Sequence, residues 1–209
     1  MSAREEVLRR IRTALADVPA DDEVVVPRDY LRSLPSDVDV LHLFAERVAD
    51  YRATVHRVTP ADLAETVAKV LGEHDVRRLA TPPDVPPEWL AEAAVEVVAD
   101  DGTLTAPELD RLDGVITGSA VGIAETGTIV LDGGATQGRR ALSLVPDFHL
   151  CLIRTDQVVG TVPEGIGRLE PTRPLTFISG PSATSDIELR RVEGVHGPRT
   201  LVVLVISSH

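Results

Sequence analysis

The sequence predicts an α/β fold on a mostly parallel sheet, with antiparallel strands joining it toward the C-terminus. From Val40 to Glu108, short apolar runs alternate with helical patterns in a βαβ rhythm, and that rhythm implies right-handed crossovers between parallel strands. Hydrophobic residues are 43% of the chain but aromatics only 3%, so the core must be Val, Leu, Ile and Ala, which suit buried parallel strands. A length of 209 residues suits one domain plus an arm. The expected division is a helix and extended arm over 1–39 and the domain over 40–209.

The first element is an amphipathic helix: Ser2 and Glu5 form a capping box, and Val7, Leu8, Ile11, Ala14, Leu15 and Val18 repeat at helical spacing. Three prolines and several acids between Pro19 and Asp39 predict an extended arm. A helix over Val40–Tyr51 precedes a strand over Thr54–Val58, and Thr59-Pro60 opens a second helix running to Leu71. There follow a strand at Arg78–Ala80, a short helix around Trp89, a strand at Val95–Val98 and a capped turn at Thr105–Glu108. Beyond Asp113 the pattern changes to strands with few helices between them: Gly114–Gly118, Gly127–Leu131, Phe148–Arg154, Leu175–Ser179 and Leu201–Ser207.

Charge and composition exclude several functions. A net charge of −12 argues against a nucleic-acid partner, which needs a basic stripe. Lys69, the single lysine, falls inside a predicted helix, so neither a Schiff base nor a Walker-type phosphate loop is indicated. One cysteine, Cys151, is too few for a disulfide framework, a zinc ribbon or a cluster held by this chain alone. No histidine shows metal-ligand spacing, and no dinucleotide, serine-hydrolase or NTPase motif is present, so no metal and no cofactor are expected. No apolar run approaches the roughly 20 residues of a membrane span, and the charged N-terminus does not read as a signal peptide, so a cytoplasmic location is expected.

Three segments carry candidate chemistry. In Ala120–Leu131, Gly122 and Gly127 allow close backbone approach to an anion, Thr126 and Thr128 offer hydroxyls, and Glu125 is a candidate base or carboxylate nucleophile. A plain β-turn with an exposed glutamate fits the same residues. In Ile178–Glu188, the hydroxyl-rich loop presents Ser179, Gly180, Ser182, Thr184 and Asp186, with Thr184 or Ser185 as the N-cap of a helix whose amides attract an anion. A capped helix without a ligand fits equally. In Gly194–Pro198, His196 sits between glycines as a candidate general acid or base, or as a bystander on a turn.

Taken together, the runs Gly122-Ile-Ala-Glu-Thr-Gly-Thr128, Ser143-Leu-Val-Pro146 with His149, Ile178-Ser-Gly-Pro-Ser182 with Thr184 and Asp186-Ile-Glu188, and Gly194-Val-His-Gly-Pro198 resemble, in order, the LUD-domain family and its lactate-utilization protein C group. The resemblance covers roughly residues 40–209. It implies a three-layer, Rossmann-like fold of the NagB/RpiA/CoA-transferase-like kind with a mixed sheet. It also implies a part in oxidising L-lactate to pyruvate beside iron–sulfur partner subunits, the C subunit itself carrying no cluster. One departure stands out: Ala183 and Ser185 occupy positions where the family commonly has arginine and alanine. The missing arginine would be a bidentate anion clamp, for which Arg139 or Arg140 is the nearest substitute.

The expected function is therefore an accessory or substrate-handling subunit that binds a small anion near Glu125. A second expectation is a stand-alone enzyme acting on a CoA thioester or sugar phosphate with Glu125 as nucleophile or base, which at this length would need a homodimer. A third is an interaction protein docking a partner through the N-terminal helix and arm.

Overall fold

The fold is taken from a computed structural model that describes residues 2–18, 25–185, 191–193 and 197–207. It separates into two units, residues 1–30 and 31–209. The first holds helix α1 (Ala3–Ala14), capped as its sequence requires: the Glu5 amide donates to Ser2 Oγ at 3.2 Å and the Ser2 amide to Glu5 Oε2 at 2.6 Å. Glu6 pairs with Arg9 and Arg10 one turn on, which holds its carboxyl below the usual range, and α1 buries none of its side chains.

In the second unit, β1 (Thr54–Val58), β2 (Arg78–Thr81), β3 (Glu96–Ala99), β4 (Gly114–Thr117), β7 (Phe148–Arg154) and β12 (Thr200–Ile206) form one sheet in the order β1-β12-β7-β4-β2-β3. Every neighbouring pair in it is parallel. The antiparallel pairs anticipated for the C-terminal half lie in a second sheet, β8-β5-β6-β9, made of β5 (Val121–Ile123), β6 (Thr128–Leu131), β8 (Val158–Val159) and β9 (Thr176–Ile178). The continuous apolar runs Phe148–Arg154 and Leu201–Ser207 lie parallel to each other at the centre of the main sheet, where both of their faces are covered.

Alternation along these strands makes the layers. Leu150, Leu152, Val202 and Leu204 point to one face and pack with Val67, Val70 and Leu71 of α3 (Leu63–Glu73) and with Trp89 of the 3-10 turn Pro87–Leu90. Cys151, Ile153, Val203 and Val205 point to the other and meet Phe44 and Val48 of α2 (Val40–Asp50) and Ile129 and Leu131 of the second sheet. Each large side chain buried in this way contributes about 1.5–3 kcal/mol. The three-layer α/β architecture is thus present, its mixed pairing confined to the second sheet.

Several short elements lacked a sequence signal. α4 (Ala106–Leu109) is the expected capped turn, but α5 (Arg140–Leu144) and α6 (Val162–Gly167) sit where strands with few helices were expected. The hydroxyl-rich segment was expected to cap a helix at Thr184 or Ser185. It forms instead a strand, β10 (Ala183–Ser185), paired antiparallel with β11 (Arg191–Glu193). The backbone groups that a helix start would leave unpaired are taken up by this distant partner, which local sequence does not reveal.

Candidate functional site

Because β7 and β12 are parallel neighbours with His149 beside Leu201, their amino ends open at the same rim of the sheet. The loop leaving β9 reaches that rim, where the Ser182 amide donates to the Pro198 carbonyl at 2.7 Å. A cavity of about 240 Å³ lies there, lined by Ser143, His149, Ser179, Gly180, Ser182 and Gly197 among others. Residues quoted from three separate runs of the sequence therefore meet in one place. The volume falls below the range of about 300–1,000 Å³ for drug-sized ligands and suits a molecule of a few heavy atoms.

Hydroxyls are strung toward the cavity. Thr126 and Thr128 share a hydrogen bond at 2.8 Å, and Thr128 shares another of 2.8 Å with Ser179, which joins the β5–β6 turn to the loop after β9. Gly180 lines the cavity at φ +84°, and a Cβ there would lie 2.4 Å from Tyr51 Cβ. The loop can turn so close to the end of α2 only with glycine.

Gly122 and Gly127 have a different reason. A Cβ on Gly122 would lie 2.6 Å from Ile153 Cδ1, so this glycine lets the second sheet settle on the first. At Gly127, φ is +58° and a Cβ would come within 2.6 Å of the Arg47 carbonyl carbon in α2, while its amide is spent on Ala124. Packing, rather than ligand approach, accounts for both. Gly127→Ala is expected to lower stability by about 2 kcal/mol through overpacking and left-handed strain. Urea unfolding measures it, and a loss under about 0.5 kcal/mol would contradict the close approach.

Glu125 is half-buried in the β5–β6 turn, its amide donating to the Gly160 carbonyl at 3.0 Å, and it is not among the residues lining the cavity. Thr184 lies on β10. Asp186 and His196 fall outside the described residues.

His149 is the group that residue-by-residue reasoning passed over. Its signal was a polar side chain inside the apolar strand Phe148–Ile153. It is 1% exposed, and Nε2 lies 2.8 Å from Thr117 Oγ1. Thr117 also approaches Cys151 Sγ at 3.9 Å, so hydroxyl, imidazole and thiol form one buried polar cluster inside the sheet. Burial pushes His149 down to about 4 and the Cys151 thiol up to about 12, so the imidazole stays neutral and the thiol stays protonated near pH 7.

Beside this cavity lies another of about 290 Å³ that shares Ser143 and Thr176 and adds Arg139 and Arg140. Arg139 is committed elsewhere: its Nε and Nη2 grip the Asp100 carboxylate at 2.7 and 3.1 Å, and Nη2 also donates to the Leu104 carbonyl. Arg140 is exposed and makes no ion pair among the described residues. Of the two substitutes for the missing clamp, Arg140 is the one left available. Among the described residues no three His, Cys, Asp or Glu side chains gather as a metal site, and no helix is long and apolar enough to cross a membrane.

Comparison with known proteins agrees with this architecture. The LUD domain family model matches residues 41–206. A Lactate utilization protein C of Deinococcus radiodurans is 48% identical over 209 residues, covering 98% of this chain and 96% of that protein. Another protein of that name from Halalkalibacterium halodurans is 27% identical over 218 residues, covering 97% and 94%. The crystal structure of a DUF162 family protein from Deinococcus radiodurans superposes with a TM-score of 0.68 at 44% identity, covering 80% of this chain and 96% of that one. A family match across most of the second unit, with a relative 48% identical along nearly the whole chain, establishes that this chain belongs to the LUD domain family.

Proposed function

We propose that this chain is a substrate-handling subunit of an L-lactate oxidation system, holding a small anion in the cavity at the amino ends of β7 and β12. The observation that carries the reading is end-to-end similarity to proteins named Lactate utilization protein C, together with a lactate-sized cavity lined by the family's own motifs. Ser179 and Ser182 offer hydroxyl donors to a carboxylate, and Arg140 supplies positive charge from the adjoining cavity. Neutral His149, in the cavity lining, hydrogen-bonds a 2-hydroxyl group through its ring. Thr126 and Thr128 order Ser179, and Glu125, on the same turn but outside the cavity lining, is kept with His196 as the proposed acid–base pair. Oxidising lactate to pyruvate releases two electrons and two protons. A chain with one cysteine lacks the thiolates for a cluster of its own, and the electron acceptors in this reading are the iron–sulfur partner subunits that the family resemblance implies.

The test joins genetics to binding. A deletion strain should fail to grow on L-lactate and recover with the wild-type gene but not with Glu125→Gln. Calorimetric titration should show L-lactate binding about tenfold weaker in Arg140→Ala, as expected for loss of about 1.4 kcal/mol of charge-assisted contact. Normal growth without the gene would refute the role, and equal affinity in Arg140→Ala would refute the proposed clamp.

A further inference from the structure

A wider cleft lies at the opposite rim of the main sheet and is untouched by the reading above. It has a volume of about 980 Å³, four times that of the amino-end cavity, and is reached by the segments following β4, β7 and β12. From β2 the chain passes outward to β3, whereas from β4 it passes the other way to β7 and β12, so the strand order reverses between β2 and β4. Ligands of open parallel sheets bind outside the carboxyl ends at such a reversal. Gly118, immediately after β4, forms part of the lining.

The cleft is chemically two-sided. Trp89, Leu63, Leu152 and Ile206 provide apolar surface, while Arg154, Arg168 and Arg173 share the space with the carboxylates of Glu88, Asp132 and Asp156. Arg154 is held on Asp156 at 3.0 and 3.1 Å and Arg173 on Asp132 at 2.8 Å. Arg168 donates to the Asp156 carbonyl at 2.8 Å and has no carboxylate partner among the described residues, so a cation remains for a ligand.

The rim of the cleft is also pre-formed. Thr136 takes the left-handed conformation at φ +63°, held by its amide on Asp84 Oδ2 at 2.9 Å and by the Gly118 amide on its carbonyl at 2.8 Å. A Cβ at Gly118 would strike Thr136 Oγ1 at 2.1 Å and approach Trp89 Cη2 to 3.6 Å. A non-glycine residue in that region is costly and persists where its surroundings over-determine it, as at ligand sites.

From this juxtaposition we infer a second binding site for a nucleotide-class ligand, with its planar heterocycle against Trp89 and its phosphate at Arg168. The volume fits such a ligand and is far too large for a three-carbon acid. Stacking on tryptophan needs only a π-face, and a guanidinium matches phosphate oxygens in a bidentate fork.

Trp89 is the only tryptophan in the chain, so its emission reports on this cleft alone. The full-length protein would be titrated with AMP and with FMN, and binding checked by equilibrium dialysis. Saturable quenching is expected with at least one nucleotide, weakened about tenfold or more in Arg168→Ala, unchanged in the exposed control Arg111→Ala and unaffected by saturating L-lactate. Absence of saturable binding by either nucleotide up to millimolar concentration, or binding indifferent to Arg168→Ala, would overturn the assignment. Neither result bears on the lactate reading, which is scored at the other rim.

Discussion

Replacing Arg139 by alanine is expected to destabilise the fold by about 2–4 kcal/mol. Its partner Asp100 has a side chain only 1% exposed, and the substitution leaves that carboxylate buried without its cation. Breaking a buried pair from one side typically costs about 3–5 kcal/mol, and the value is set lower here because the Arg139 side chain is 38% exposed and partly screened. The pair matters because of where it sits. Asp100 immediately follows edge strand β3, its amide donating to the Thr81 carbonyl of β2 at 2.8 Å and its carboxylate accepting the Gly102 amide at 3.1 Å. Arg139 immediately precedes α5, whose Leu142 packs with Ala80, Leu109 and Val115. The bridge thus clasps the sheet edge to the segment carrying Arg140 and Ser143. A double-mutant cycle with Asp100→Asn, followed by urea unfolding, measures the coupling. If Arg139→Ala alone costs under about 1 kcal/mol, or if Asp100→Asn does not relieve most of its loss, the clasp is not energetically important.

Stability should also fall by roughly 3 kcal/mol as pH is lowered from 6.5 to 4, owing to His149. Its ordinary value of 6.5 is depressed to about 4 by burial, and each pKa unit corresponds to about 1.4 kcal/mol. The sign follows from where protons bind: between these values the unfolded chain takes up a proton that the folded chain refuses, so acid favours unfolding. Stability is full above 6.5 and the loss is complete below about 4. Asp39 and Asp132, which accept backbone amides and in Asp132's case also meet Arg173, have lowered values and act only below the ordinary carboxylate value of 3.8. The two contributions are therefore separated in pH. Equilibrium unfolding at pH 7.5, 5.5 and 4.5 should show a steep decline for the wild type and a flat profile for His149→Gln, whatever the variant's starting stability. Parallel profiles for the two proteins would exclude a buried neutral imidazole.

Both predictions concern residues whose significance was only partly legible. Arg139 drew notice as a spare cation and proved to be tied to Asp100, 39 positions away. The apolar runs Phe148–Arg154 and Leu201–Ser207 were read correctly as strands, because their continuous hydrophobicity leaves little else for a buried segment to do. Their parallel pairing was not, since that depends on what covers each face. The motif glycines are ambiguous for a related reason. Gly122 and Gly127 fit an anion nest in sequence as well as they fit close packing against Ile153 and Arg47.

By itself the sequence determined the α/β class, most of the strands, the caps at Ser2 and Thr105 and the family, because periodicity, capping residues and ordered motifs are local properties of the chain. Tertiary structure alone decided that Ser143, His149, Ser179 and Gly197 share one cavity, that His149 is buried against Thr117, and that a second, wider cleft opens at the far rim. Those outcomes depend on which distant segments close against one another, and that is settled by the joint burial of both sheet faces, not by any single stretch of residues.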